Sequence, residues 1–415
     1  MSEIDKQLLN FDNCDIFTPE KIANIMQSYL HNNGTLLDPS VGTGNLLNGI
    51  NINDYDSIDV YDIKQQYLDD CNDKFNKYNE DFLKSDIKSK YNNIILNPPY
   101  IKIQNLSDEY RKFIKTKFNI LKTGNIDIYQ AFIIKCLDLL EDDGVMVSIT
   151  PNSYLYNKSC IDIREYLFKN RYIYEIIDYG SEKVFDGISV YCCITIFKKK
   201  NNESLIYNNE NIFYKDIVNN SLFDKNTENN VLLKTICKVS NGIATLRDKI
   251  YIKNEKLYDE PCWKPIYKNN KTLYIIYPYH NGNIIDEDTF KQSNPKTYDY
   301  LLENKDELAQ RDKGKQDKYA SWYAYGRTQS IKLNEDIKRC LFIPTFTDPK
   351  NIEITESDNM LHMSSIKIEL LDTNYTLDNI KDAIQQSTDY IEKISSKRGG
   401  GWININTSTI NKISI

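Results

Sequence analysis

The sequence has no apolar run long enough to cross a bilayer, and Met1 to Asn10 hold no stretch of signal-peptide length. A membrane-embedded or secreted protein is therefore not expected, and a cytoplasmic one is. The nine cysteines include no C-x-x-C pair and do not cluster with the three histidines. Adjacent Cys192 and Cys193 would face opposite ways in a strand and cannot easily bridge. This argues against a zinc site or disulfide framework and for free thiols in a reducing compartment, with no metal. Excess positive charge is missing too: 52 Lys and Arg against 59 Asp and Glu leave a net charge of −7. That balance counts mildly against a nucleic-acid partner, although contact depends on where basic residues lie rather than on their total. Internal repeats and low-complexity tails are absent as well.

What is present describes a globular chain. At 415 residues it is too long for one ordinary core, so two domains are expected. From Thr18 to about Lys199, short apolar strands alternate with helical stretches, which predicts a mainly parallel α/β sheet. Thr18-Pro19-Glu20 opens a helix with a hydroxyl cap, a proline at the first position and an acid in the first turn. Strands are expected at Thr35–Leu37, Ile58–Tyr61, Ile94–Leu96 and Val145–Thr150. Helices are expected from Asn45, over Lys64–Tyr78 and over Asn125–Glu141, with Gly144 as the break. Arg171–Asp178 and Val190–Phe197 read as antiparallel neighbours, with Val184-Phe185-Asp186-Gly187 in their turn. Asn201–Asn230 reads as a linker with at most a short edge strand around Ile206 and Phe213. The rhythm then ends, giving domains at 1–225 and 226–415, the second carrying a long amphipathic stretch from Leu377 to Ile394.

Two motifs carry chemistry. Asp38-Pro39-Ser40-Val41-Gly42-Thr43-Gly44 sits between a strand and a helix, where glycines permit a tight turn and a close backbone approach to a ligand. Leu47 stands where a dinucleotide fingerprint wants its third small residue, which disfavours a pyrophosphate. Asp62, after the second strand, is placed to accept ribose hydroxyls. Adenosine without pyrophosphate points to S-adenosylmethionine; a turn serving geometry alone is the competing reading. The sharper signal is Asn97-Pro98-Pro99-Tyr100 at a strand end. Its plain reading is a rigid turn with a local cap and a packed ring. Its functional reading uses every part. The Asn97 side-chain oxygen and the Pro98 carbonyl accept both protons of an amino group conjugated with a ring, freeing the nitrogen lone pair to attack a methyl group. Fixed acceptors stabilise the positive charge that develops there, and Tyr100 stacks on the ring.

The order Phe17-Thr18-Pro19, Asp38 to Gly44, Asp62, Asp81-Phe82, Asn97 to Tyr100, then a C-terminal domain, resembles the gamma-class adenine DNA methyltransferases of the TaqI type. The resemblance implies a Rossmann-like S-adenosylmethionine-dependent methyltransferase domain with a mainly parallel sheet and a C-terminal antiparallel hairpin. A mixed α+β DNA-recognition domain follows it. It implies that Phe17, Thr18, Pro19, Asp38, Pro39, Ser40, Gly42 and Gly44 hold the methionine part of the cofactor. Asp62 would hold the ribose, Asp81 the adenine amino group and Phe82 the adenine face. Asn97, Pro98, Pro99 and Tyr100 would carry methyl transfer to N6 of a flipped adenine in double-stranded DNA, with Tyr100 and Phe185 against the base. Asp62, Asp81 and Phe185 also have ordinary readings as strand-end acid, loop cap and core aromatic.

In the second half, Asn241-Gly242-Ile243-Ala244-Thr245, Leu308-Ala309-Gln310-Arg311 and Trp322-Tyr323-Ala324-Tyr325-Gly326-Arg327 look like segments of that family's specificity domain. Basic residues from Arg311 to Arg339 are interleaved with Tyr319, Trp322, Tyr323 and Tyr325. Arg311, Lys318, Trp322, Tyr323 and Arg327 are the candidate DNA contacts, against a solvated face diluted by nearby acids. Lys397-Arg398-Gly399-Gly400-Gly401 reads as a flexible loop able to approach phosphates. Protein glutamine or RNA adenine methylation is the alternative reading. It is disfavoured by the Thr-Pro helix and the large C-terminal domain. With few residues before Phe17 and no carboxylate–lysine cluster, no nuclease core is expected, and any cognate restriction endonuclease would be a separate protein.

Overall fold

Apolar residues of the first half divide between two faces, because successive side chains of a strand leave it on opposite sides. In Ile94-Ile95-Leu96, the outer two join one hydrophobic cluster and Ile95 joins another. Val145, Met146 and Val147 alternate in the same way. A sheet built from such runs must be covered on both faces, as parallel sheets are. The computed structural model describes residues 16–122, 125–185, 190–200, 202–224, 231–268, 271–311, 319–328, 330–331, 339–358 and 360–415. Two compact units result, Met1–Asn226 and Thr227–Ile415.

In the first unit α1 (Glu20–Gln27) leads to β1 (Thr35–Asp38), β2 (Ser57–Tyr61), α2 (Gln65–Asp70), β3 (Asn76–Tyr78) and β4 (Tyr91–Leu96). Next come α3 (Asp108–Lys117), α4 (Tyr129–Leu139), β5 (Leu140–Pro151), α5 (Ile161–Lys169), β6 (Ile173–Asp178), β7 (Cys192–Lys198), β8 (Ser204–Tyr207) and β9 (Glu210–Phe213). They form one nine-stranded sheet in the order β3-β2-β1-β4-β5-β7-β6-β8-β9. The run from β3 to β5 is parallel. β7 enters antiparallel between β5 and β6.

Four local expectations need correction. No α-helix follows the glycine loop: Asn45–Leu47 make a single 3-10 turn, and Gly49 at φ 87 ends it. The Asn-rich stretch beyond bonds its own backbone, Asn51 accepting from Asn53 N–H, which competes with helix. The helix expected over Lys64–Tyr78 stops at Asp70, and its tail becomes the edge strand β3. Strand β5 begins at Leu140, so Gly144 lies within it rather than breaking a helix. The supposed linker contains the β8–β9 hairpin, turned by Asn208 and Asn209 at φ 46 and 70. Consecutive asparagines tolerate the left-handed backbone that a two-residue hairpin needs.

The second unit is mixed α and β. One four-stranded sheet orders Cys237–Asn241, Ser365–Leu370, Cys340–Pro344 and Thr355–Ser357. A second orders Ile252–Lys253, Lys271–Ile276, Trp263–Lys268 and Leu361–Met363. The amphipathic stretch forms two helices, Leu377–Gln386 and Thr388–Ile394, the first opened by a reciprocal Thr376–Asn379 capping box. Among the described residues no helix is long and apolar enough to cross a membrane.

Candidate active site

Parallel strands deliver their carboxyl ends to one edge, where loops can meet around a ligand. Here β1 delivers the Asp38–Gly44 loop, β2 delivers Asp62, and β4 delivers Asn97 to Tyr100. Between them opens a cleft. It is lined by Phe17, Thr18, Pro39, Ser40, Gly42, Asp62, Asp81, Phe82, Asn97, Pro98, Pro99 and Tyr100, so most residues singled out from the sequence come together here.

The three loops are tied to each other. Ser40 Oγ donates to the Asn97 carbonyl at 3.1 Å. Asp62 accepts from Gly42 N–H at 3.0 Å with one carboxylate oxygen and from Lys64 N–H at 2.8 Å with the other. Gly42 and Gly44 have φ of 50 and 79, a backbone that side chains other than glycine rarely adopt. Phe17 lies across Gly42, and its ring meets Tyr67 edge to face at 5.8 Å.

Asn97 is oriented from behind. Its Nδ2 donates to the Ile16 carbonyl at 2.9 Å and to Thr18 Oγ at 3.1 Å. Thr18 therefore does not cap α1: Pro19 holds the cap position without a side-chain bond. With both amide protons engaged, Asn97 Oδ1 is held as an acceptor, and it takes a bond from the Tyr100 hydroxyl at 2.8 Å. Burial keeps that phenol protonated far above its ordinary range.

The Asp81–Phe82 turn is gripped from below. Asp81 Oδ1 accepts from Leu83 N–H at 3.0 Å and the Tyr110 hydroxyl at 3.1 Å. Phe82 stacks on Phe132 at 5.4 Å. Buried Lys135 of α4 donates to the Phe82 carbonyl, to the Ser85 carbonyl at 2.7 Å and to Ser85 Oγ at 2.9 Å, with its ammonium 4.5 Å from the Phe82 ring centre. Burial pulls Lys135 down to about 8. The sequence reading did not single out Lys135, Tyr110 or Phe132. A lone lysine in the apolar run Tyr129–Leu139 was the available signal.

Other candidates stand off the cleft. Asp38 is fully buried behind it: Oδ1 accepts from Ser40 N–H at 3.1 Å, while Oδ2 has no partner among the described residues. Burial, reinforced by Asp62, pushes its carboxyl up to about 8 although the Ser40 N–H opposes the shift. Phe185 is 2% exposed, belongs to the core around Cys192 and Ile194, and does not line the cleft. In the second unit Arg311 is buried. Its guanidinium bonds the Leu308 and Trp322 carbonyls and lies over Tyr319, so its charge knits loops together instead of facing solvent. Tyr323 is also buried, stacked on Phe290 at 5.2 Å. Trp322 is partly exposed and Arg327 exposed, while Lys318 lies outside the described residues. Gly326 N–H bonds the Thr245 carbonyl at 2.9 Å, which joins two of the segments picked out in the second half.

The strand order and the cleft at the carboxyl edge are those of an α/β domain able to bind S-adenosylmethionine outside its strand ends. The lining fits that cofactor. Asp62 and Glu80 offer acids for hydroxyls, Ile63, Phe82 and Phe132 offer flat apolar walls for a purine, and Gly42 offers bare backbone. Residues 27–185, all within the first unit, match the model of the Eco57I restriction-modification methylase family. The chain is similar to the Type II methyltransferase M.HincII of Haemophilus influenzae, 30% identical over 186 residues, covering 44% of this chain and 36% of that protein. It is also similar to the Type II restriction enzyme and methyltransferase RM.Eco57I of Escherichia coli, 21% identical over 382 residues, covering 74% of this chain and 37% of that protein. The chain thus spans little more than a third of the length of either relative. The Type IIL restriction-modification enzyme MmeI, solved in complex with DNA, shares the fold with a TM-score of 0.63 at 13% identity, over 94% of this chain and 64% of that one.

Proposed function

We propose that the chain is a site-specific DNA methyltransferase that transfers a methyl group to N6 of adenine in double-stranded DNA. The observation that carries this reading is Asn97, a cleft-lining residue whose amide protons are both engaged by Ile16 and Thr18, so that Oδ1 is fixed as an acceptor. S-adenosylmethionine, when bound, supplies an electrophilic methyl group. Asn97 Oδ1 and the Pro98 carbonyl accept the two amino protons of the base and draw the nitrogen lone pair out of conjugation. They also stabilise the charge developing on nitrogen, so no deprotonation is needed first, and the methylated nitrogen releases one proton to solvent afterwards. Asp62 holds the ribose, Asp81 the cofactor's adenine amino group, and Phe82 its ring.

An adenine within a duplex must leave the stack to reach these groups, at a cost of a few kcal/mol. Stacking on Tyr100 offsets about 1–3 kcal/mol of that. The second unit reads the DNA sequence in this proposal, with Trp322 and Arg327 as accessible contacts. The protein works in the cytoplasm, alone or beside a cognate restriction endonuclease. The match to a restriction-modification methylase family and the likeness to RM.Eco57I, a restriction enzyme and methyltransferase, favour DNA over a protein glutamine or RNA adenine.

The test is methyl transfer from labelled cofactor to unmethylated duplex DNA, RNA and protein, followed by nucleoside analysis. N6-methyladenine in DNA is the expected product. A different methylated base, or label only in RNA or protein, would refute the proposal.

A further inference from the structure

A strand at a sheet surface normally buries one set of alternate residues and leaves polar ones outside. The small sheet ordered Phe346–Thr347, Ile403–Asn404, Ser396–Lys397 departs from this. Thr347 and Ile403 are its buried partners, paired across the strands. On the other face stand two large aromatics, Phe346 at 51% exposure and Trp402 at 42%. Their rings stack at 5.0 Å with 14° between planes. Exposed aromatic surface in one place marks a binding site more often than single scattered apolar residues do.

The surroundings say what would bind. Arg398 N–H donates to the Trp402 carbonyl at 2.7 Å, closing a hairpin whose tip is Gly399-Gly400-Gly401. Those three glycines are exposed, and Gly400 and Gly401 have φ of 72 and 81. No side chain therefore rises between Arg398 and Trp402 to keep a flat partner away. The charge is one-sided: from Lys393 to Ile415 the sequence holds Lys393, Lys397, Arg398 and Lys412 and no Asp or Glu, in a chain of net charge −7. Lys397 is engaged by Glu392 at 3.1 Å. Arg398 is exposed, and its guanidinium lies 3.2 Å from the Asn404 amide, which accepts from it with the oxygen turned that way. A partner that offers flat rings and negative charge at one spot is a nucleic acid.

We propose that the Phe346–Trp402 stack and Arg398 form a DNA contact, with a base or sugar face against the aromatic pair and a phosphate at Arg398. The proposal rests on the reading of the chain as a DNA methyltransferase and adds a contact outside the Trp322–Arg327 segment.

The experiment uses full-length protein and an unmethylated 30-base-pair duplex library of random sequence, followed by fluorescence anisotropy and by methyl transfer to the same library. Trp402→Ala, Phe346→Ala and Arg398→Ala should each weaken DNA binding, the aromatic changes roughly tenfold or more. Cofactor affinity should stay at the wild-type level. Trp402→Tyr, which keeps a stacking ring, should recover most of the binding and guards against simple misfolding of the alanine variant. DNA affinity unchanged in Phe346→Ala, Arg398→Ala and Trp402→Tyr alike, with Trp402→Ala unchanged wherever it folds, would overturn the proposal. So would intact DNA binding with loss of self-association, which would make the patch an interface between copies of the chain. If the wild type transfers no methyl group to DNA, the functional reading fails and this proposal with it. If the wild type methylates the library and the variants match it, this contact alone is wrong.

Discussion

The Tyr100 phenolic oxygen lies 2.8 Å from Asn97 Oδ1 and 3.0 Å from the Ile149 carbonyl, so one proton has two acceptors in reach. When a substrate amino group donates to Asn97 Oδ1, the phenol can turn wholly to Ile149 without leaving its site. The hydroxyl is then a placeholder, and the ring does the binding. Tyr100→Phe should keep methyl transfer within several-fold of wild type, while Tyr100→Ala should lose roughly tenfold to a hundredfold through lost stacking. Steady-state methylation of duplex DNA separates the two. A phenylalanine variant as poor as the alanine one would show that the hydroxyl takes part.

Asn97 depends on Thr18 for its orientation. Asn97→Ala should lower turnover by about a hundredfold to a thousandfold, the range for removing one preorganised electrostatic partner. Cofactor affinity should change little. Thr18→Val removes one of two anchors on Nδ2 and should give a smaller loss in turnover, again with cofactor affinity kept. Calorimetry for the cofactor and single-turnover kinetics test both. Near-normal turnover in Asn97→Ala would remove it from the chemistry.

Lys135 holds the turn that presents Asp81 and Phe82, donating to three oxygens from a buried position. Lys135→Met keeps the stem and removes those bonds, leaving the Phe82 carbonyl to the Ser85 hydroxyl and the half-buried Ser85 carbonyl without its lysine donor. Cofactor binding should weaken about tenfold or more, with a smaller effect on turnover at saturation, because the loss falls on the proposed adenine wall rather than on Asn97. Unchanged cofactor affinity would show that Asp81 and Phe82 need no such support.

Much of this site was legible in the sequence because its motifs sit where strands end, and strand ends follow from local apolar runs. Ile94-Ile95-Leu96 stopped by two prolines places Asn97 without knowledge of any distant contact. Thr18 misled for the opposite reason. A local capping rule assigned its hydroxyl to α1, while a residue 79 positions away claims it. Arg311 shows the same limit. Arginine among tyrosines reads as a basic surface, yet here its guanidinium is buried among main-chain carbonyls supplied by loops that only the fold brings close. Phe185 carried both readings in sequence, and its burial beside Cys192 and Ile194 matches the plain one in this structure.

Asp38 offers a pH test. Burial raises its folded carboxyl from 3.8 to about 8, so the folded protein keeps a proton that the unfolded chain releases. The stability tied to that proton is complete below about pH 4 and is lost progressively as pH climbs to about 8. Asp38→Asn has no such proton. Its melting temperature should gain on wild type through that window and level off above it. Thermal melts at pH 5, 6.5, 8 and 9 measure this. A constant difference would mean that Asp38 ionises normally in the fold.

The final prediction concerns how the two units divide the work. Both hydrophobic clusters of the nine-stranded sheet draw only on residues up to Phe223, and the clusters of the second unit begin at Val231. Each unit thus owns its core, and separation at 226/227 cuts through neither. A fragment of residues 1–226 should melt cooperatively and bind the cofactor near full-length affinity, since every residue lining the cleft lies within it. Sequence selectivity is assigned to the second unit, so the fragment should lose site-specific methylation and retain at most weak, salt-sensitive transfer to DNA. Circular dichroism and calorimetry check the first half of the prediction, and methylome sequencing of DNA treated with fragment or full chain checks the second. If the fragment methylated the same sites as the full chain, sequence readout would have to lie within the nine-stranded unit, and Trp322, Arg327 and the Phe346–Trp402 pair would lose their proposed roles.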